Sequence, residues 1–228
     1  MVVAMRTQQD RTFRKYNMHI CDAYSCDDDG WPIVMQTDSV PDSLVTFELA
    51  KAGKDPNAFA HFFIDDYRFE RLWNQPEKYV DVLKKYAGVL SPDFSLYTDM
   101  PLPIQQYNSY RSKALALYWQ RCGIDVIPTL CWSDERSYDF AFRGIPERST
   151  VAVSTVGVVR SKQAVQLFKQ GLFEAIRMLN PQCIVWYGKP LDVVNLGTRV
   201  VVYENDNKRR LNKWEAEGRH LEAEAHRP

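Results

Sequence analysis

The stretch TVAVSTVGVVRSKQAVQLFKQGLFEAIRMLNPQCIVWYG, residues 150–188, decides the fold class. It opens on an apolar run of strand length, TVAVSTVGV, and closes on another, QCIVWYG. Between them Val165, Phe168, Leu172, Ile176 and Leu179 recur at helical spacing, with Ser161 as cap and Asn180-Pro181 as terminator. Gly171 is a weak point inside that helix. The two strands are near-continuous apolar runs rather than alternating ones, the pattern of a sheet covered on both faces. Strand, helix, strand in succession means parallel pairing through a right-handed crossover.

The same grammar holds outward from this unit. HFFI, GVLSPDFSLY, DVIPTLCW and RVVVY are four further apolar runs. PEKYVDVLKKYAG, residues 76–88, reads as a helix with Pro76 in its first turn and Gly88 as a left-handed cap. Its Tyr79, Val82, Leu83 and Tyr86 fall on one face. PIQQYNSYRSKALALYWQRCG, residues 103–123, carries Ile104, Tyr107, Ala114, Leu115, Tyr118 and Cys122 at helical spacing, and Gly123 stops it. The expected architecture is α/β: repeated strand–helix units with a mostly parallel sheet, either open or an incomplete barrel. Residues 56–203 form this core domain. Residues 1–55 read as an irregular lead-in with one or two short strands, and 204–228 as a charged helix or tail.

The totals narrow the function classes. Twenty-nine basic residues balance 29 acidic ones, which argues against holding nucleic acid by bulk charge and leaves room for a local patch. No stretch approaches the ~18 apolar residues of a spanning helix, and the N-terminus does not read as a signal peptide, so no membrane partner is expected. Cys21, Cys26, Cys122, Cys131 and Cys183 are an odd, scattered set, as in a cytoplasmic protein with reduced thiols.

In a parallel sheet the carboxyl ends of the strands share one edge, and ligands bind there. Acids follow the apolar runs. Asp65 and Asp66 come after HFFI, Asp99 after FSLYT, and Asp134, Glu135 and Arg136 after LCWS; Lys189 follows WYG. Converging carboxylates repel unless cations or protons intervene. Arg68, Arg71, Arg111, Arg136 and Lys189 are candidate neutralisers, as is a divalent metal such as magnesium or manganese. Of the paired aspartates, one is expected to point into a rim pocket and the other to cap the following turn. The candidate catalytic groups are Asp65, Asp66, Asp134 and Glu135. The candidate ligand contacts are Arg68, Asp99, Asn108, Arg111, Arg136 and Lys189, with Asn108 and Arg111 sharing a face near the start of the long helix. For each acid the plain alternative is an N-cap or a turn, and for Arg111 a structural salt bridge.

Other signals fail. HICDAYSCDDDG lacks the final Glu of a calcium loop, and as a zinc site His19, Cys21 and Cys26 supply at most three ligands. No P-loop, GxGxxG or GxSxG is present. The aromatic–basic mixture YNSYRSKALALYWQR suits single-stranded nucleic acid, and equally a helix core.

FIDDYRFERLW, GVLSPDFSLYTDMP, the N-x-x-R of Asn108 and Arg111, and IPTLCWSDERSYDFAFRGIP together resemble a family catalogued as a domain of unknown function, met in bacteria, their phages and other mobile elements. The likeness runs over about residues 60–190 and implies an intracellular phage or bacterial setting without an activity. One departure is Val156, in STVGV, where the resemblance implies a His. The favoured function is binding of a small anionic ligand or nucleotide at the strand rim. The alternatives are a metal-dependent phosphoester hydrolase and a non-catalytic accessory factor that binds nucleic acid or protein; the sequence does not decide whether the chain is an enzyme, nor its oligomeric state.

Overall fold

The structure, a computed structural model, describes residues 11–21, 23–193 and 196–205. Among these residues seven strands follow one another: β1 Leu44–Thr46, β2 Phe59–His61, β3 Gly88–Leu90, β4 Val126–Ile127, β5 Thr150–Ser154, β6 Cys183–Tyr187 and β7 Arg199–Tyr203. The helices are α1 Arg11–Lys15, α2 Phe47–Lys51, α3 Arg71–Asn74, α4 Val80–Leu83, α5 Leu102–Arg121, α6 Tyr138–Ala141 and α7 Lys162–Leu179. The expected tail lies outside the described residues from 206 onward.

Every pairing between these strands is parallel, and the spatial order follows the chain: β1-β2-β3-β4, then β5-β6-β7. The two sheets are continuous with each other just beyond β4. There Ala152 N donates to Pro128 O and Leu130 N to Ala152 O, both at 2.8 Å, around a parallel bridge from Thr129 to Ala152. The lead-in is therefore part of the sheet, since Leu44–Thr46 is its first strand.

The sheet rolls up. In a flat sheet β2 and β6 would lie about 19 Å apart, four strand spacings. Yet the Tyr187 ring sits 4.4 Å from that of His61 and 5.1 Å from that of Phe63, centre to centre. The concave face encloses a small core with a residue from every strand, including Leu44, Phe59, Leu90, Ile127, Ala152 and Val185, with Tyr203 packed at its side. The Tyr203 hydroxyl donates to the carbonyl of Pro41, just ahead of β1. Of the two sheet forms expected, the curvature selects the incomplete barrel. A larger core lies between the convex face and the helices, with Phe62, Trp119 and Trp186 at most 1% exposed.

Two glycines owe their identity to this packing. Gly88 opens β3 instead of capping a helix, and a Cβ there would lie 2.3 Å from the Phe59 ring. The helix before it is reduced to a 3-10 turn, Glu77–Tyr79, and the single turn α4. Gly171 lies under the Trp132 indole, where a Cβ would come within 2.0 Å of Nε1; that nitrogen donates to Leu167 O at 3.2 Å. Helix α7 is bounded as its sequence requires. Ser161 Oγ accepts from Ala164 N, and Asn180 closes the helix in the left-handed region at φ 41°. No helix among the described residues is long and apolar enough to cross a membrane.

Candidate functional site

Parallel strands in sequential order deliver all their carboxyl ends to one rim, and the rim holds a cleft of about 1360 Å³. Thr46 ends β1 there. Phe63 to Arg68 follow β2, Asp93 and Ser95 to Met100 follow β3, and Leu130 to Ser133 follow β4. Ser154, Val156 to Val158, Arg160 and Ser161 follow from β5, Tyr187 comes from β6 and Asn205 from beyond β7.

Of the residues singled out by sequence, Asp65, Asp66, Arg68 and Asp99 meet in this lining. Asp65 and Asp99 are exposed. Asp65 occupies the N-cap position of the 3-10 turn Asp66–Arg68 without a side-chain cap bond. Neither aspartate therefore caps the turn with its side chain, because Asp66 spends its carboxylate elsewhere. It accepts from Ser95 N at 3.0 Å and Ser95 Oγ at 2.8 Å, tying the loop after β2 to the loop after β3. Arg68 is paired with Glu48 through two hydrogen bonds.

The other candidates stand outside the cleft lining. Asp134 caps the 3-10 turn Glu135–Ser137 and pairs with Arg136 at 2.7 Å; the hydrogen-bonded guanidinium of Arg136 holds its carboxyl below the ordinary value. Arg136 also donates to Thr98 O at 3.0 Å, bracing a segment that does line the cleft. Glu135 is exposed on that turn. Arg111 is buried: it donates to Glu70 at 2.6 Å and to Asn108 Oδ1 at 2.6 Å, with its guanidinium 3.9 Å from the centre of the Phe94 ring. Asn108 donates to Ser95 O at 2.8 Å. This pair supports the loop after β3 from behind. Lys189 is exposed, and its carbonyl accepts from Thr155 Oγ1 at 2.7 Å.

Asp93 and Cys131 were not among the site candidates read from the sequence, yet both line the cleft. GVLSPDFSLY looks like one strand, but β3 ends at Leu90 and Pro92 cannot extend a ladder. The rim thus begins earlier than expected and Asp93 is part of it. A proline within an apolar run was the signal. Burial pushes the Asp93 carboxyl up to about 7; the Asp66 carboxylate adds to this, and a hydrogen bond with Cys131 opposes it. Burial also raises the Cys131 thiol. Deeper in the core, burial lowers Lys113 to about 7, while its ammonium donates to Ser109 Oγ at 2.5 Å and Phe140 O at 2.9 Å.

On the β5 side of the rim the sequence offered no candidate ligand contact. A left-handed Gly157, φ 83°, leads through exposed Arg160 to the first turn of α7, where Ser161, Gln163 and Ala164 line the cleft. Val156 is 45% exposed in the same lining, so the position where the resemblance implies a His is at the cleft. Among the described residues, no three His, Cys, Asp or Glu side chains are grouped to hold a metal ion. His19 pairs instead with Glu77 at 2.6 Å.

Parallel strand order, inward-curling sheet and rim cleft define an incomplete α/β barrel with its candidate site at the strand carboxyl ends. The chain belongs to the family described as a domain of unknown function, DUF4417, whose model matches residues 27–204. It is similar to the Gene 1 protein of Mycobacterium phage L5, at 44% identity over 162 residues, covering 69% of this chain and 70% of that protein. It is also 44% identical over 129 residues to the Gene 1 protein of Mycobacterium phage D29, covering 57% of this chain and 48% of that protein. No solved structure matches the chain.

Proposed function

We propose that this phage-family protein binds a nucleotide in the rim cleft, with the phosphate at the α7 end and the base on the opposite side. The observation that carries the reading is the convergence of strand ends from the whole chain on one cleft of about 1360 Å³. That is ample for a ligand of this size. The first-turn amides of an 18-residue helix favour an anion, and Arg160 beside them makes no ion pair among the described residues. Across the cleft, Tyr67 and Tyr97 are 77% and 59% exposed, available as stacking faces for a base. Asp65, Asp66 and Asp99 add negative charge elsewhere in the lining, which orients the phosphate toward Arg160.

Calorimetric titration with purine and pyrimidine mono-, di- and triphosphates tests the reading. Binding is expected for at least one, weakened about ten-fold or more by Arg160→Ala, the range for a lost charge-assisted hydrogen bond. Absence of heat with every nucleotide at millimolar concentration would sink it.

A further inference from the structure

Outside the cleft lining, the sulfurs of Cys21 and Cys26 stand 2.9 Å apart, without a disulfide joining them. We propose that these two thiols form a reversible disulfide that fastens the N-terminal segment to the core.

Both sides of the pair are anchored. Ahead of it, Ile20 is 1% exposed and Asn17 donates to the carbonyl of Trp73. After it, Ile33 N donates to Ser25 O at 2.9 Å, and Cys26 bridges to Pro32 in antiparallel register. The Asp27 carboxylate accepts from Asp29 N and Trp31 N, while Arg143 grips both Asp27 and Asp29. Trp31 stacks on Phe140, with ring centres 6.3 Å apart and planes 16° off parallel. Closing from 2.9 Å to a bonded separation of about 2.05 Å therefore takes less than an ångström of movement between segments already in position. Both cysteines are half-buried, within reach of a small oxidant. No third metal-binding side chain joins them among the described residues, which favours a dithiol over a metal site.

The oxidant is a low-molecular-weight disulfide. One protein thiolate attacks it, forming a mixed disulfide and releasing one small thiol. The second cysteine, losing its proton, displaces the other small thiol, which takes the proton up. The protein pair loses two electrons and two protons, and two small thiols form. The new bond closes the loop from Cys21 to Cys26 and restricts the unfolded chain, so the oxidised protein melts at a higher temperature.

The test equilibrates the full chain in stepped ratios of reduced to oxidised glutathione, quenches with acid, alkylates after denaturation and maps the peptides. The expected product is lighter by two hydrogens, with a Cys21–Cys26 link and with Cys122, Cys131 and Cys183 alkylated; dithiothreitol reverses it. In Cys21→Ser a glutathione adduct accumulates on Cys26, and in Cys26→Ser on Cys21. Wild-type protein whose Cys21 and Cys26 alkylate at every ratio, carry separate glutathiones, or pair with another cysteine overturns the proposal.

Discussion

Burial and the Asp66 carboxylate push Asp93 from 3.8 up to about 7, so the folded protein keeps a proton that the unfolded chain gives up at lower pH. Folding takes up that proton across the window between the two values. The contribution to stability is complete below 3.8 and is lost as pH rises through about 7. Urea unfolding at steps across this window should show stability declining with pH, and Asp93→Asn should flatten the decline; an unchanged slope would remove Asp93 as its source. Arg111 makes a second prediction. Its side chain is 8% exposed and its Glu70 partner 37%, so Arg111→Met leaves a carboxylate unpaired at the edge of the core. A loss of about 2 kcal/mol in urea unfolding is expected, below the range for fully buried pairs because Glu70 reaches solvent. Arg111→Lys should rescue it only in part, since a compact ammonium cannot hold both Glu70 and Asn108 while resting over the Phe94 ring.

Within elements, intrinsic propensity and tertiary contact make opposite predictions at Gly171. Helix propensity alone says that Gly171→Ala stabilises α7 by about 1 kcal/mol. The Trp132 indole occupies the space of the new methyl group, so the structure predicts a loss of about 1–3 kcal/mol with a shifted Trp fluorescence spectrum. Chemical denaturation gives the sign directly, and a gain would mean that Trp132 does not rest on this helix. Gly88 follows the same logic against the Phe59 ring, between neighbouring strands. The long elements were legible before the structure. The α7 sequence carries its cap, its apolar stripe and its terminator, and α5 runs from Leu102 to Arg121 close to its expected limits. The weaker readings were those that took an apolar run as one element. GVLSPDFSLY contains three strand residues, then a proline and a rim loop.

At the scale of the molecule, the inner core draws a residue from each strand, so neither the four-strand nor the three-strand part buries its concave face alone. The chain should therefore unfold as one cooperative unit. Trp119 packs against Phe62 beside the first part, and Trp186 against Phe168 in the second. Fluorescence of single-Trp variants that retain one or the other should give coincident transitions with far-UV circular dichroism; separated midpoints would show that the two parts fold independently.

Parallel strands joined by helices, and acids trailing them at a common edge, were written in the linear sequence because hydrophobic period and capping residues act over a few neighbouring positions. Asp65, Asp66, Arg68 and Asp99 were placed at the rim that way, and all four are in the cleft lining. Only the tertiary structure decided that the sheet curls and that Arg111 and Asn108 face the core. Only it brought Asp93 beside Asp66 and Cys131, and Arg160 to the cleft mouth. These outcomes depend on contacts between residues tens of positions apart, whose partners no local pattern encodes.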